Sequence, residues 1–536
     1  MKKKYIYICF LFFLPFTNIL SAQEALKSTE EEYYDFLVLH GLSERPALNY
    51  RTLSDSVWSV NEDNSHPWQD NNLGSFHPLF GDFRARIYGP ELFISANTDN
   101  PYGQNDFLLW QGRGFNFLFK GGVRFEGYGI ELTLLPHFAF SQNADYDIMP
   151  SAYKNEYGYF WGNGVDAPQR FGNKPFFDWD FGDSEIRYTW KTLTVGFGTQ
   201  TIWLGPAFIN PMLHSNNAPA YPKVDIGLRR QKIIIPKLGW DIGDIELRFW
   251  VGRLSESDYF DDDSSNDYTM IHGLSFAYAP SFAPGLTFFA NRICLVFWEW
   301  ENLKYILPRN ENTTEDQKAS FGFSWIFPPV GFEVYGELGI DDFVPEKKYL
   351  GYIRYPFHTM TYTVGLKKTV SLLEFINIHG IIFFEWNSME MSQDFQLQWP
   401  YSPYFHNELI HGYTNKGQWL GMGTGWGGNS QYIGLKLYYN KGSSSISLHR
   451  SNPDNNYLYS MAVNDSAENG ELEKKYFSSW KSNFTTIINT NYFFTKNFSL
   501  GGEFVHNLIS KPYYYNLLKD NYIRNYSFSI IVKYRI

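Results

Sequence analysis

The chain is poor in cysteine, in long apolar runs and in net positive charge, and each shortage closes a class of function. Two cysteines occur in 536 residues. Cys9 lies in an N-terminal stretch that reads as a leader, so only Cys294 would remain afterwards. An internal disulfide and a cysteine-built zinc site are both excluded on that reading. Mean hydropathy is -0.34, and no stretch beyond the leader approaches the ~20 apolar residues a spanning helix needs. If the chain crosses a membrane, strands must carry it. The formal charge is -11, which makes a poor partner for a phosphate backbone and argues against nucleic acid.

Aromatics are abundant instead, at 19%. Residues 1-22 have the form of a signal peptide: Lys2 to Lys4 are basic, Tyr5 to Phe16 apolar, and Ser21-Ala22-Gln23 offers a cleavage point after Ala22. Residues 23-75 read as an N-terminal periplasmic helical segment. Ser28-Thr29-Glu30-Glu31 has capping-box form, and Tyr33, Phe36, Leu37 and His40 follow at helical spacing, with Gly41 as the stop. Glu30, Glu31 and Glu32 suit the positive end of the helix dipole.

From about residue 83 the period becomes 2. Phe115, Phe117 and Phe119 alternate with polar or small residues, as do Ile186, Tyr188 and Trp190, then Leu193, Val195 and Phe197. Ile245 to Val251, Leu274 to Ala290 and Phe321 to Gly336 repeat the pattern across turns. Short connections such as Gly127 to Gly129 and Pro328 to Gly331 alternate with long polar ones at Gln142 to Asp183, Ser255 to Asp267 and Asp394 to Gly417. These features predict that residues 76-536 form an all-β transmembrane antiparallel β-barrel of 14–18 strands, preceded by the small α-helical segment. Tyr526, Phe528, Ile530, Val532, Tyr534 and Ile536 form an alternating final face suited to recognition by the barrel-assembly machinery.

Three blocks carry a family resemblance. They are Asn100-Pro101-Tyr102-Gly103-Gln104-Asn105-Asp106 through Arg113-Gly114; Asp166 to Gly172 with Trp203-Leu204-Gly205-Pro206-Ala207, Ser215 to Pro219 and Gly252-Arg253-Leu254; and Gly412 to Gln418 with Asn429 to Tyr432. With them the chain resembles the capsule-assembly Wzi family, in the form common among Bacteroidetes. The family's usual Trp-Trp-Gly-Pro-Gly stands here as Trp203-Leu204-Gly205-Pro206-Ala207. The resemblance implies a monomeric barrel of eighteen strands in the outer membrane, embedded in its lipid, with a lectin-like role: binding or anchoring capsular or extracellular polysaccharide at the cell surface.

No catalytic motif is present, so no enzyme, cofactor or metal is expected. Gly423-x-Gly425-x-x-Gly428 lacks the strand-turn-helix context of a dinucleotide site, and His406 and His411 are not at the spacing of a zinc-protease helix. Asp261-Asp262-Asp263 suits a solvated loop better than a calcium site. The candidate polysaccharide-binding residues are Trp110, Arg113, Tyr159, Trp161, Arg170, Trp203, Asn216 and Asn217. Amides pair with sugar hydroxyls, and indole or phenol faces stack on a pyranose. Turn-forming and self-packing roles suit the same residues, so both readings stay open. A channel for small solutes or saccharides is the alternative function.

Overall fold

The computed structural model describes residues 22–23, 27–60, 65–162, 164–261, 263–306, 315–341, 360–373, 377–390, 403–469, 479–514 and 522–536. Nearly all of the leader, Asp262 and part of the Asp394 to Gly417 connection lie outside them. Eighteen antiparallel strands among the described residues close one barrel. They are β1 (Arg84–Asn97), β2 (Gly114–Gly127), β3 (Ile130–Leu134 continued by His137–Ser141), β4 (Phe176–Asp180 continued by Glu185–Trp190), β5 (Leu193–Gly198) and β6 (Lys223–Ile235). Then come β7 (Trp240–Ser255), β8 (Tyr268–Pro280), β9 (Leu286–Phe297), β10 (Asp316–Phe327), β11 (Phe332–Asp341) and β12 (Thr361–Leu373). The last are β13 (Ile378–Ser388), β14 (Asn429–Tyr439), β15 (Gly442–Asn452), β16 (Ser482–Phe493), β17 (Phe498–Ser510) and β18 (Tyr522–Tyr534). Closure is made by β18 on β1, from Ser527 opposite Asn97 to Lys533 opposite Glu91.

The wall is apolar outside and polar inside. On β7, Ile245, Leu247 and Phe249 face out while Glu246, Arg248 and Trp250 are buried in the lumen. Leu193, Val195 and Phe197 of β5 and Phe528 and Ile530 of β18 are likewise exposed on the outside. Such a belt is stable only against hydrocarbon, and no described helix is long and apolar enough to span a bilayer by itself. Connections at one end are short, as at Asn440–Lys441 between β14 and β15. At the other end they are long. The connection expected from Gln142 to Asp183 is shorter than the sequence suggests, because β4 begins at Phe176. The aspartates and aromatics of that strand resemble loop composition.

The N-terminal segment enters the barrel. Helix α1 (Thr29–Leu39) starts at Ser28, whose Oγ accepts the Glu31 N–H at 3.1 Å. It packs inside the short-turn end, where Tyr33 stacks on Trp68 at 4.1 Å and meets the edge of Tyr438. Trp68 Nε1 donates to the Tyr439 and Gly442 carbonyls at 3.1 and 3.0 Å. Two wall carboxylates each accept three successive backbone N–H groups. Glu246 of β7 takes those of Leu48, Asn49 and Tyr50 at 2.7–3.0 Å. Glu385 of β13 takes those of Phe208, Ile209 and Asn210. Non-helical backbone inside a barrel needs such partners.

Candidate functional site at the long-loop end

The long loops fold inward and grip one another. Tyr413 Oη donates to the Leu213 carbonyl at 2.6 Å, and Ser215 Oγ donates to that of Gly421 at 2.6 Å. Asn217 Nδ2 donates to the Trp419 carbonyl at 3.0 Å, and Asn415 Nδ2 to that of Pro219 at 2.9 Å. From the loop after β1, the Phe107 N–H reaches the Asn216 carbonyl at 2.7 Å, and the Asn105 N–H reaches Asn217 Oδ1 at 3.1 Å. Asp166 ties in the loop after β3: its N–H donates to the His411 carbonyl at 3.0 Å, and its carboxylate accepts Ser257. Members of all three blocks that carry the family resemblance therefore meet in space, although Asn105 and Asn217 lie 112 residues apart and Ser215 and Gly421 206. Gly423 sits at their junction. A Cβ there would lie 2.2 Å from Gln104 Cγ and 2.5 Å from Asn217 Oδ1.

An aromatic cluster fills the same end. Trp161 stacks on Trp426 with centroids 4.4 Å apart and planes at 19°. Tyr159 Oη and Tyr514 Oη donate to the two oxygens of Asp454 at 2.7 and 2.9 Å, pinning three loops together. Around this buried core Gln104, Asn105, Asp106, Gln418 and Trp419 remain part-exposed. Burial pushes the Asp106 carboxyl up to about 7 although Gln111 Nε2 donates to it at 2.7 Å. The histidines of this end are engaged: His411 Nδ1 with Thr269 Oγ1 at 2.9 Å, His214 with the Ile202 carbonyl and Tyr221 Oη at 3.0 and 2.8 Å. Burial pushes both down to about 3. Amides, one carboxyl and an indole can hold hydroxyl-rich ligands. Among the described residues no histidine, cysteine, aspartate and glutamate grouping could hold a metal.

The structure distributes the sequence candidates over four places. Trp110, Arg113 and Arg170 share one corner. Trp110 is part-buried against Phe171 and Phe176, at 5.1 and 6.3 Å. Arg113 bonds the Asp145 carbonyl and Arg170 the Asp145 carboxylate. Tyr159 and Trp161 belong to the aromatic cluster, and Asn216 and Asn217 to the seam between loops. Trp203 stands apart: it has no exposed surface, and its backbone pairs with Arg51 of the N-terminal segment in both directions, at 2.8 and 3.1 Å. Gly205 to Phe208 line a cavity of about 960 Å³ between the N-terminal segment and the wall, at the short-turn end. The part-exposed Gln104, Asp106 and Trp419 were not singled out by sequence. Their only signal was membership of, or adjacency to, the family blocks.

Residues 114–295 match the family model described as capsule assembly protein Wzi. No curated protein matches the sequence. Among solved structures, Wzi of Escherichia coli aligns with a TM-score of 0.55 at 14% identity over 85% of each chain. That protein is described as an outer-membrane protein involved in group 1 capsule assembly and a carbohydrate-binding β-barrel. Pseudomonas putida OprB aligns with a TM-score of 0.37 at 11% identity, over 84% of this chain and 94% of its own. OccK8 of Pseudomonas aeruginosa gives 0.38 at 9% identity, over 85% and 98%. The sequence match from β2 into β9, set within a barrel that follows the Wzi path, confirms the resemblance of this outer-membrane chain to the capsule-assembly Wzi family.

Proposed function

We propose that this barrel binds capsular or extracellular polysaccharide and anchors it at the cell surface, without catalysing a reaction. Short turns face the periplasm and long loops the outside in barrels of this kind, which puts the loop cap on the extracellular side and the N-terminal segment on the periplasmic side. The leader is removed on export, the assembly machinery inserts the chain, and it works as a monomer. The observation that carries the reading is the cap itself: motif-bearing loops converge there and leave Gln104, Asn105, Asp106, Gln418 and Trp419 part-exposed around a rigid aromatic base. Preorganised amides with an indole face suit sugar, which offers paired hydroxyls and an apolar ring face.

Deleting the gene should release polysaccharide into the medium with its synthesis intact. Replacing Trp419→Ala should weaken binding of the cell's own purified polysaccharide by the folded barrel. Cells that keep their full surface coat after deletion would sink the proposal. The second reading, a channel for small solutes or saccharides, is favoured by the charged cavity at the short-turn end. A steady open-channel current across a planar bilayer would support it against anchoring.

A further inference from the structure

The Gly252-Arg253-Leu254 block has one member that the cap does not use. Gly252 and Leu254 turn inward: a Cβ on Gly252 would lie 2.6 Å from the Tyr221 ring, and Leu254 is fully buried. Arg253 turns outward, onto the lipid side of the wall at the long-loop end of β7. Its guanidinium carbon lies 4.5 Å from the centre of the Tyr268 ring and 5.9 Å from that of Trp298. Among the described residues its side chain forms no hydrogen bond or ion pair, and its Nε is shielded from solvent without a partner.

The connection after β9 completes the surroundings. Its 3-10 turn, Trp300–Ile306, lies back against the outside of the barrel, where Tyr305 packs on Met270, Cys294 and Val296. Arg292 Nη1 donates to the Tyr305 carbonyl at 3.2 Å and holds the turn down. Trp298, beside Arg253, is 44% exposed, and Trp300 at the start of the turn is 85% exposed. Glu299, Glu301 and Lys304 are also exposed there.

A bare guanidinium at the edge of a membrane-facing apolar wall calls for an anion, and the outer leaflet supplies one in its phosphorylated glycolipid. Guanidinium binds phosphate through a planar fork, and indoles favour the headgroup level. We propose that Arg253, flanked by Tyr268 and Trp298, is a docking site for the phosphorylated sugar headgroup of an outer-leaflet lipid. The phosphate takes the guanidinium and the sugar ring lies on the exposed Trp298 indole.

The test uses the full-length barrel in phosphatidylcholine nanodiscs containing traces of bis-phosphorylated lipid A or its dephosphorylated form, with retained lipid counted by native mass spectrometry. The folded protein should enrich the phosphorylated form by about tenfold, the size of one charged hydrogen-bonding partner. Arg253→Gln should abolish the preference and Arg253→Lys should keep part of it, each with unchanged heat-modifiable gel mobility. Trp298→Phe is the second variant, with weakened retention if the indole contributes. No preference in the unsubstituted protein, or a preference that survives Arg253→Gln, overturns the proposal. Displacement by inorganic phosphate at matched concentration would make this a free-anion site and overturn the lipid assignment.

Discussion

The two ends of the lumen are filled in different ways. At the short-turn end the N-terminal segment packs its rings on Tyr438 and Phe493 and is further held to the wall by charge. Glu30 pairs with Lys533 and Arg535, Glu32 with Lys436, Asp35 with Lys367, and Arg45 of the segment with Glu333. Asp55 pairs with Arg229 at 2.7 Å and Arg248 at 3.1 Å. At the long-loop end the loops hold one another through amides, carbonyls and stacked rings. The difference follows from what each filler meets. The N-terminal segment lies against strand faces already charged by the inside-out alternation of a barrel, whereas the loops meet mainly other loops. Both ends have an apolar core, around Tyr33, Trp68 and Tyr438 at one and Trp161 and Trp426 at the other, but the short-turn end adds a set of ion pairs to the wall, so the two should answer differently to loss of charge.

The largest effect is expected at the long-loop end. Trp426 is fully buried and lies between Trp161 and Phe405. Trp426→Ala should cost ~3–5 kcal/mol, the range for a buried tryptophan cut to alanine. The loss should appear as protease cleavage of the loop 142–175 while the N-terminal segment stays protected. Simultaneous release of both ends would show that they are one cooperative unit and break the comparison.

Asp55→Asn strikes the other end. It leaves Arg229 with Glu131 and Arg248 with Asp225, so part of the charge stays compensated. The cost should fall near the lower limit for a broken buried pair, about 3 kcal/mol. It should be read as a lowered thermal midpoint in detergent together with cleavage near residues 40–60. High salt should change it little, because buried charges are poorly screened.

Acid separates the ends by sign. Burial pushes the Asp166 carboxyl up to about 7 and raises Asp454. Burial alone would also raise Asp55 and Asp35, but Arg248 and Arg229 beside one and Arg45 and Lys367 beside the other hold both below the usual carboxylate range. Glu31 is the exception at that end, raised by its burial. Between 3.8, the ordinary aspartate value, and about 7 the folded cap keeps protons that an unfolded chain has released. The cap therefore loses stability as pH rises through that window. The depressed carboxylates of the N-terminal segment give stability that is complete above 3.8 and lost as pH falls below it. Asp166→Asn should thus raise the thermal midpoint at pH 8, by the equivalent of roughly 1–3 kcal/mol, because the asparagine removes the cost of ionising a buried carboxyl. The gain should vanish near pH 4. Asp55→Asn should do the reverse, its deficit shrinking below that pH. Parallel pH profiles for the two variants would remove the distinction.

What was legible in the sequence was whatever has a local period or a local cap. The alternation at Phe115 to Phe119, Ile186 to Phe197 and Phe321 to Gly336 marked strands, because lipid imposes one residue type on every second position. Capsule-family blocks marked the loops. The lumen was not legible. Nothing near Glu32 announces Lys436, and nothing near Asp55 announces Arg248, since such partners are set by where strands close in space. The seating of α1 inside the short-turn end of the barrel depends on those distant pairs. Trp203, with glycine, proline and asparagine in its block, suited a structural kink as well as a sugar platform on local grounds. Its burial against Arg51 is a consequence of where the N-terminal segment threads.

The smallest effect tests whether contacts with the wall alone hold the short-turn end. Ser28 caps α1 by accepting the Glu31 N–H at 3.1 Å, a local bond independent of the wall. Ser28→Ala should cost about 1 kcal/mol, typical of an N-cap. If the ion pairs dominate, the helix stays seated and the thermal midpoint drops only slightly, with no new cleavage between residues 27 and 60. A loss comparable to that of Asp55→Asn would mean that α1 docks only once its first turn is formed. Helix nucleation, and not the wall's charge, would then control entry of the segment into the barrel.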